Sequence, residues 1–428
     1  RSEGKWTAVL QGRTIRKIVA VVLAVLMTGM LLTACTENKN GQQDAADAED
    51  YIKVGIVIPQ TGVLTAFGAG TEEMTQYALD QINEAGGLEV DGTVKKLKLF
   101  VGDSQSEPEK ARQVAQQMIS DQNVDVMLTS HTADTTVPVS EACEEAGILC
   151  LSVDTPDEAW AASDHQYSYH AGFNTENELL CFLDAWKAAG VTSGKIGVMH
   201  ADDAEGQAMM AAITAFAAAY GYEICDPGAY TPGTSNYSAM VRRLKEEDCE
   251  IVAGVMLTSD FGTFYRKLKA SGYMPEVCTV AKAALFEEDV AAVGADRLCS
   301  EVWWTTEYPY VSSISGESCE EIGQQWLKLT KDSYVSALAG YDYANVEILY
   351  QILKEAKSLD IEKLCAAADT LDTETVIGRV RFNEQHYSVQ SLVTGQWIYN
   401  EDGTWSRYII ANTQVPDCPV TSEFRKIK

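Results

Sequence analysis

Gly68-Ala69-Gly70 follows an apolar run from Val54 to Ile58 and precedes a helical pattern, the setting in which a glycine loop can cradle a pyrophosphate. The third glycine of that fingerprint is replaced by Glu73, and Glu72 beside it adds negative charge where a phosphate would have to sit. Dinucleotide chemistry is therefore a poor fit. No P-loop, GxSxG or HExxH occurs. The five histidines (His131, His165, His170, His200 and His386) are dispersed, and read as structural or surface groups rather than ligands. The ten cysteines after Cys35 stand singly, with no CxxC pair and no Cys/His cluster at zinc spacing. Nothing in the pattern calls for a cofactor, a metal or catalysis.

What the chain does supply is a set of polar loops. The first is Gln60-Thr61-Gly62 through Phe67; the second is Thr129-Ser130-His131-Thr132-Ala133-Asp134-Thr135, running into a helix start. Hydroxyls and free backbone N–H groups at a helix N-terminus suit a carboxylate, although the same residues also suit plain N-capping. Asp154-Thr155-Pro156 forms a third loop. His200 to Gly206, Thr258 to Phe261 and the region of Lys282 follow. Such loops are binding chemistry when they lie at the carboxyl ends of the strands of an open α/β sheet.

The strands that would place them are legible. Val54 to Ile58 is an apolar run ended by Pro59, as expected of a strand covered on both faces. After Thr71, which is expected to cap, Met74, Tyr77, Ala78, Ile82 and Ala85 share one helical face, and Gly86-Gly87 closes it. The unit then repeats. Strands are expected at Leu97–Val101, Val124–Leu128 and Ile148–Ser152, with helices from about Glu107 and over Thr135–Ala146. A crossing segment at Tyr167–Phe173 precedes a second series. In it, strands fall at Lys195–Met199, Ile251–Met256, Val277–Ala281 and Ser300–Thr305, with helices over Ala204–Tyr220 and Phe261–Ala270. Strands alternating with helices imply a doubly wound parallel sheet, and two such series imply two α/β lobes. The tail carries helices at Tyr341–Ala356 and Ile361–Ala368, then strands at Val376–Phe382, Gln390–Tyr399 and Trp405–Ile410, the last two joined by the turn Asn400–Gly403.

The first 34 residues belong to no lobe. Arg13, Arg16 and Lys17 precede an uncharged apolar run from Ile18 to Leu32, which reads as an export signal too short for a comfortable membrane span. Leu32-Thr33-Ala34-Cys35 resembles a bacterial lipobox, in which Cys35 would become the lipidated first residue. Residues 35–50 read as a solvated tether. Five of the 33 basic residues and one of the 62 acidic ones lie in 1–34, leaving 28 against 61, a net of −33. Such a surface repels nucleic acid and anionic headgroups, so the lipid would be the only membrane attachment. If any disulfide forms, Cys278 with Cys299 is the favoured pair, since both fall in consecutive strands.

The segments VGIVIPQTGVLTAFG with ALDQINEAGG, KLKLFVGDSQSEPEKARQVAQQMI, TTVPVSEACEEAGILCLSVDT and GYDYANVEILYQILKEA together resemble the type 1 periplasmic-binding-protein fold. Within it the likeness is to the leucine/isoleucine/valine-binding proteins of ABC transporters, from about Ile52 to Ile410. The resemblance implies two doubly wound parallel-sheet lobes joined by three crossovers near 171, 306 and 374. One lobe is then 51–171 plus 307–373 and the other 172–306 plus 374–428. It implies a monomeric capture protein, anchored outside the cytoplasmic membrane or in the periplasm, that closes on an amino acid or related carboxylate and delivers it to an ABC permease. The alternative is a sensor of the same fold. By position, Phe67 becomes an aromatic lid; Ala133, Asp134 and Thr135 present donors to a carboxylate; and Thr155 adds a hydroxyl. Tyr341-Asp342 opens a helix that can face the cleft. Two positions depart from the pattern. Glu205-Gly206 stands where relatives often have Tyr-Gly, and Ala281-Lys282 where an acidic residue pairs with the ligand ammonium. Glu205 or Asp342 would then take the ammonium and Lys282 a second carboxylate, which argues against a simple branched-chain ligand.

Overall fold

Parallel strands covered on both faces need near-continuous apolar runs, and β1 (Tyr51–Ile58) is buried throughout from Val54. The computed structural model describes residues 51–427; the export signal, Cys35 and nearly all of the tether lie outside the described residues. From β1 the chain passes through a helical turn, Thr65–Gly68, into the helix Thr71–Glu84, which buries Met74, Ala78, Leu79 and Ile82. Gly86 and Gly87 close that helix at φ 113° and 89°. The N-cap is Gly70, not Thr71, whose hydroxyl is engaged elsewhere. The three residues of β2 (Leu88–Val90) form a hairpin with β3 (Thr93–Asp103), too short to register in the sequence pattern. The helix Pro108–Gln117, β4 (Val126–Ser130), the helix Ala133–Ala146, β5 (Leu149–Pro156) and β6 (Ser168–Phe173) complete the first series.

The second series begins with the helix Thr175–Ala188 and comprises β7 (Gly194–Met199), β8 (Tyr222–Cys225), β9 (Ile251–Val255), β10 (Val277–Ala281) and β11 (Cys299–Val302). The helix Ala204–Tyr220 lies where expected, with the Asp203 carboxylate accepting from the Gly206 N–H at its start and Gly221 in the left-handed region at its end. The helices Cys319–Thr330, Ala339–Ala356 and Ile361–Asp369 follow, then β12 (Thr373–Thr375), β13 (Gly378–Val380), β14 (Tyr387–Val389), β15 (Val393–Tyr399) and β16 (Trp405–Ala411).

Two seven-stranded sheets result, in the orders β14-β6-β5-β4-β1-β3-β2 and β16-β15-β11-β10-β9-β7-β8. The strands that carry the loops are parallel, while β15 and β16 run antiparallel at one edge of the second sheet. The chain passes between the sheets three times: after Phe173, after Val302 and between Val389 and Val393. The third crossing differs from the one expected near 374. β14 pairs parallel with β6, and the Gln390 N–H donates to Gly172. These bonds hold the chain on the first sheet about fifteen residues longer than apolar runs alone suggest, and the 376–382 run is split by a small β12–β13 hairpin.

All ten described cysteines are free, nine of them buried. Cys278 and Cys299 do lie in adjacent strands, but Cys299 sits opposite Thr279, one residue out of register. Successive strand side chains point to opposite faces, so Cys278 packs into the core on one side of the sheet and Cys299 into the core on the other. No bridge between them is possible in this register.

Candidate functional site

In both sheets the loops that follow the carboxyl ends of the parallel strands carry the polar residues singled out above. After β4, His131 and Thr132 take positive φ (66° and 67°), as do Asp154 within β5 (56°) and Lys282 after β10 (66°). Non-glycine residues in this region cost about 1–3 kcal/mol each and persist where surrounding structure over-determines them. Four of them at three strand ends mark loops held in shape by tertiary contacts.

The strongest such contact is a buried charge relay in the first lobe. His131 Nδ1 lies 2.6 Å from Asp154 Oδ2 and Nε2 lies 3.0 Å from Asp342 Oδ1, with all three side chains fully buried. The Thr71 hydroxyl lies 2.7 Å from the same Nε2, and the His131 N–H donates to Asp154 at 2.7 Å. Burial opposes the imidazolium, but the carboxylates of Asp154 and Asp342 outweigh it and push His131 up to about 10. Burial likewise lifts Asp342 to about 6, against the pull of His131. Asp342 therefore spends its charge on His131. It supports the loop from beneath through Oδ1, while its Oδ2 is buried without a hydrogen-bond partner.

That support fixes the start of the helix Ala133–Ala146. Its first backbone bonds run from the Thr135 and Thr136 N–H groups to the Thr132 carbonyl, at 3.2 and 3.0 Å, which leaves the N–H groups of Ala133 and Asp134 ahead of the ladder at the positive end of the helix. Thr132 makes no capping bond. The hydroxyls of Thr132 and Thr135 are buried without partners, so plain N-capping does not account for them. The Asp134 side chain is exposed. Thr155 is buried and its hydroxyl lies 3.3 Å from that of Thr136. Tyr341 is fully buried with an unpartnered hydroxyl. The two free N–H groups and the hydroxyls of Thr132 and Thr135 are donors gathered at one helix end, the chemistry that receives an anion.

Phe67 lies in the helical turn after β1, where its ring meets Phe286 edge-on at 5.1 Å and Trp303 at 6.3 Å. Trp303 in turn packs on Phe173 at 4.6 Å. A first-lobe residue thus touches the loop after β10 and the second crossover, and through Trp303 it is backed by Phe173 on the first. The glycines around it serve packing. A Cβ on Gly68 would stand 2.4 Å from the Pro59 carbonyl oxygen, and one on Gly70, at φ 80°, would stand 2.2 Å from the Trp326 ring.

The second lobe contributes charge. Lys282 Nζ lies 2.5 Å from Glu205 Oε1, so the two departures from the family pattern answer one another. Glu205 is consequently paired with lysine rather than left for an ammonium. Beneath them Glu178, in the first turn of the helix Thr175–Ala188, and Glu301, in β11, are buried. Burial, then the Glu301 charge, pushes Glu178 well above the carboxylate range, and burial lifts Glu301 to about 7. Neither glutamate was singled out in the sequence, nor were Trp303, Phe286 or Asp154 as partners. His131 was set aside as structural. It is structural, and only its contacts reveal that it holds the loop. No group of residues suited to a metal occurs among the described residues.

Two lobes of doubly wound parallel sheet, connected three times and carrying polar loops at the carboxyl ends of both sheets, have the architecture of a ligand-binding protein. Residues 51–404 match the periplasmic binding protein family, and the chain belongs to it. A Leu/Ile/Val-binding protein homolog of Brucella melitensis is 23% identical over 342 residues, covering 79% of this chain and 89% of that protein. The Leu/Ile/Val-binding protein BraC3 of Rhizobium johnstonii is 24% identical over 359 residues, covering 78% and 88%. Among solved structures, the branched-chain amino acid transporter substrate-binding protein LivJ of Streptococcus pneumoniae, in complex with isoleucine, superposes with a TM-score of 0.67 at 19% identity, over 84% of this chain and 99% of that one. The Leu/Ile/Val/Thr/Ala-binding protein of Brucella ovis, in its closed conformation, gives 0.72 at 15% identity, over 87% and 98%. The fold is that of a type 1 periplasmic binding protein. Members of this family are extracytoplasmic substrate-binding proteins, not enzymes, and this chain is a ligand-binding protein of that kind. Among the described residues no helix is long and apolar enough to cross a membrane.

Proposed function

We propose that this chain is the solute-capture lipoprotein of an ABC importer, held at the outer face of the cytoplasmic membrane by a lipid on Cys35, and that it closes its two lobes on an amino acid or related small carboxylate. The observation that carries the ligand class is the helix start at Ala133. Two N–H groups outside the helical ladder and the unpartnered hydroxyls of Thr132, Thr135 and Tyr341 suit one carboxylate. Thr155 adds a hydroxyl, Phe67 covers the ligand, and Lys282, exchanging Glu205 for the ligand, is available to a second acidic group. Closure follows because only the closed arrangement offers contacts from both lobes at once.

A thermal-shift screen of amino acids, small dicarboxylates and aromatic acids tests this reading. A ligand at 100 times its dissociation constant adds roughly 2.7 kcal/mol to stability. No shift with any carboxylate would remove the proposal. Thr155→Ala is expected to weaken binding of the identified ligand while leaving the melting temperature of the free protein within a few degrees. Cys35→Ala is expected to move the protein from the membrane fraction to the soluble fraction; continued membrane association would refute the lipid anchor.

A further inference from the structure

Beside the second crossover lies a cavity of about 240 Å³ that shares no residue with the site above. This is below the roughly 300–1,000 Å³ that hold drug-sized ligands, and it suits one molecule of amino-acid size. Its walls come from three places. Thr305, Thr306 and Glu307 belong to the crossover, Ser333 and Tyr334 to the loop before the helix Ala339–Ala356, and Trp397, Trp405 and Arg407 to the β15–β16 hairpin.

The hairpin register explains the wall. Trp397 pairs with Arg407 and Tyr399 with Trp405, so these side chains share one face of the ribbon. The guanidinium of Arg407 stacks over the Trp397 ring at 5.2 Å, and its Nη1 donates to the Leu285 carbonyl at 3.0 Å. Tyr334 meets Trp397 edge-on at 6.1 Å. Arg407 forms no ion pair with any described carboxylate, and burial lowers its pKa despite the nearby charges of Glu307 and Glu301. Glu307 accepts from the Thr305 and Thr306 hydroxyls through Oε2 alone. A half-buried cation with spare donors, an anion with a spare oxygen and aromatic walls therefore face one small volume.

We propose that this cavity is a second ligand site that takes an aromatic α-amino acid, with the carboxylate on Arg407, the ammonium on Glu307 and the ring against Trp397 and Trp405. A guanidinium presents paired donors matched to a carboxylate, which a lysine would not. The requirement for both charges separates this ligand from an aromatic acid or an aromatic amine.

Isothermal titration calorimetry with L-phenylalanine, phenylacetate and phenethylamine tests the assignment on the purified protein. L-Phenylalanine is expected to bind, and both analogues to bind at least tenfold more weakly. Arg407→Gln should weaken L-phenylalanine at least tenfold, and Ser333→Trp, which places bulk at the exposed rim of the cavity, should do the same without touching the arginine. Thr155→Ala, at the interlobe site, should leave this binding unchanged. The proposal is overturned if L-phenylalanine does not bind, if either analogue binds as tightly, or if binding is lost in Thr155→Ala and kept in both cavity variants. That last result would still be compatible with amino-acid capture between the lobes, so the two readings fail separately.

Discussion

Replacing His131 by leucine removes the cation from between Asp154 and Asp342 while keeping comparable bulk. Both carboxylates are left fully buried. Removing one partner of a buried ion pair costs about 3–5 kcal/mol. An independent route gives a similar size: a histidine held at about 10 rather than 6.5 corresponds, at about 1.36 kcal/mol per pKa unit, to on the order of 5 kcal/mol. The pH dependence makes the test specific. His131 has a folded pKa above its unfolded one, so its contribution is full below about 6.5 and is lost as pH rises through about 10. Asp342 is also raised, to about 6. Being an acid, it favours the fold while protonated and opposes it once ionised without a cation. The deficit of His131→Leu should therefore be largest between about pH 7 and 9. It should shrink towards pH 5, as the orphaned carboxylates take up protons, and again above pH 10, as the wild type loses its own imidazolium. Urea unfolding at pH 5, 8 and 10.5, with m-values compared, measures this directly. A deficit below 1 kcal/mol at pH 8, or one that is the same at all three values, would refute the relay.

Phe67→Ala removes two aromatic contacts within the protein, each worth about 0.5–1.5 kcal/mol, and should lower the stability of the free protein by roughly 1–3 kcal/mol in denaturant titration as well as weaken the identified ligand; unaltered affinity in calorimetry would exclude a lid. Glu205→Gln breaks a half-exposed pair with Lys282 and should change stability by less than about 1 kcal/mol, yet shift preference towards ligands with a second carboxylate, as competition binding would show. Gly70→Ala combines a positive φ with a clash against Trp326, and should destabilise by about 1–3 kcal/mol in denaturant titration; a neutral result would mean that the helix Cys319–Thr330 carrying Trp326 moves freely.

The architecture was legible because it is written in local patterns. Apolar runs ended by Pro59 or by polar loops, helical faces such as that of Met74 to Ile82, and closing glycines at 86–87 and 221 each depend on residues near in sequence. Short pieces escaped this reading. β2 and β14 are three residues each, and β14 owes its place in the first sheet to pairing with β6, more than two hundred residues earlier. Cys278 and Cys299 show the same limit: strand order could be anticipated, but a one-residue register, invisible in either strand alone, sets them on opposite faces.

For the site, the sequence by itself determined which loops carry polar groups, with Phe67, Ala133, Thr135 and Thr155 at them, and that Tyr341 stands near the start of a late helix. It could not determine which charges remain free. Asp342 and Glu205 were equal candidates for a ligand ammonium until the tertiary structure brought His131 to the one and Lys282 to the other. The physical reason is that side-chain charge is settled by partners within about 4 Å, and those partners lie 211 and 77 positions away along the chain. Local patterning decides where a loop begins and ends; only the folded packing decides whether its charges are spent on the protein or kept for a ligand.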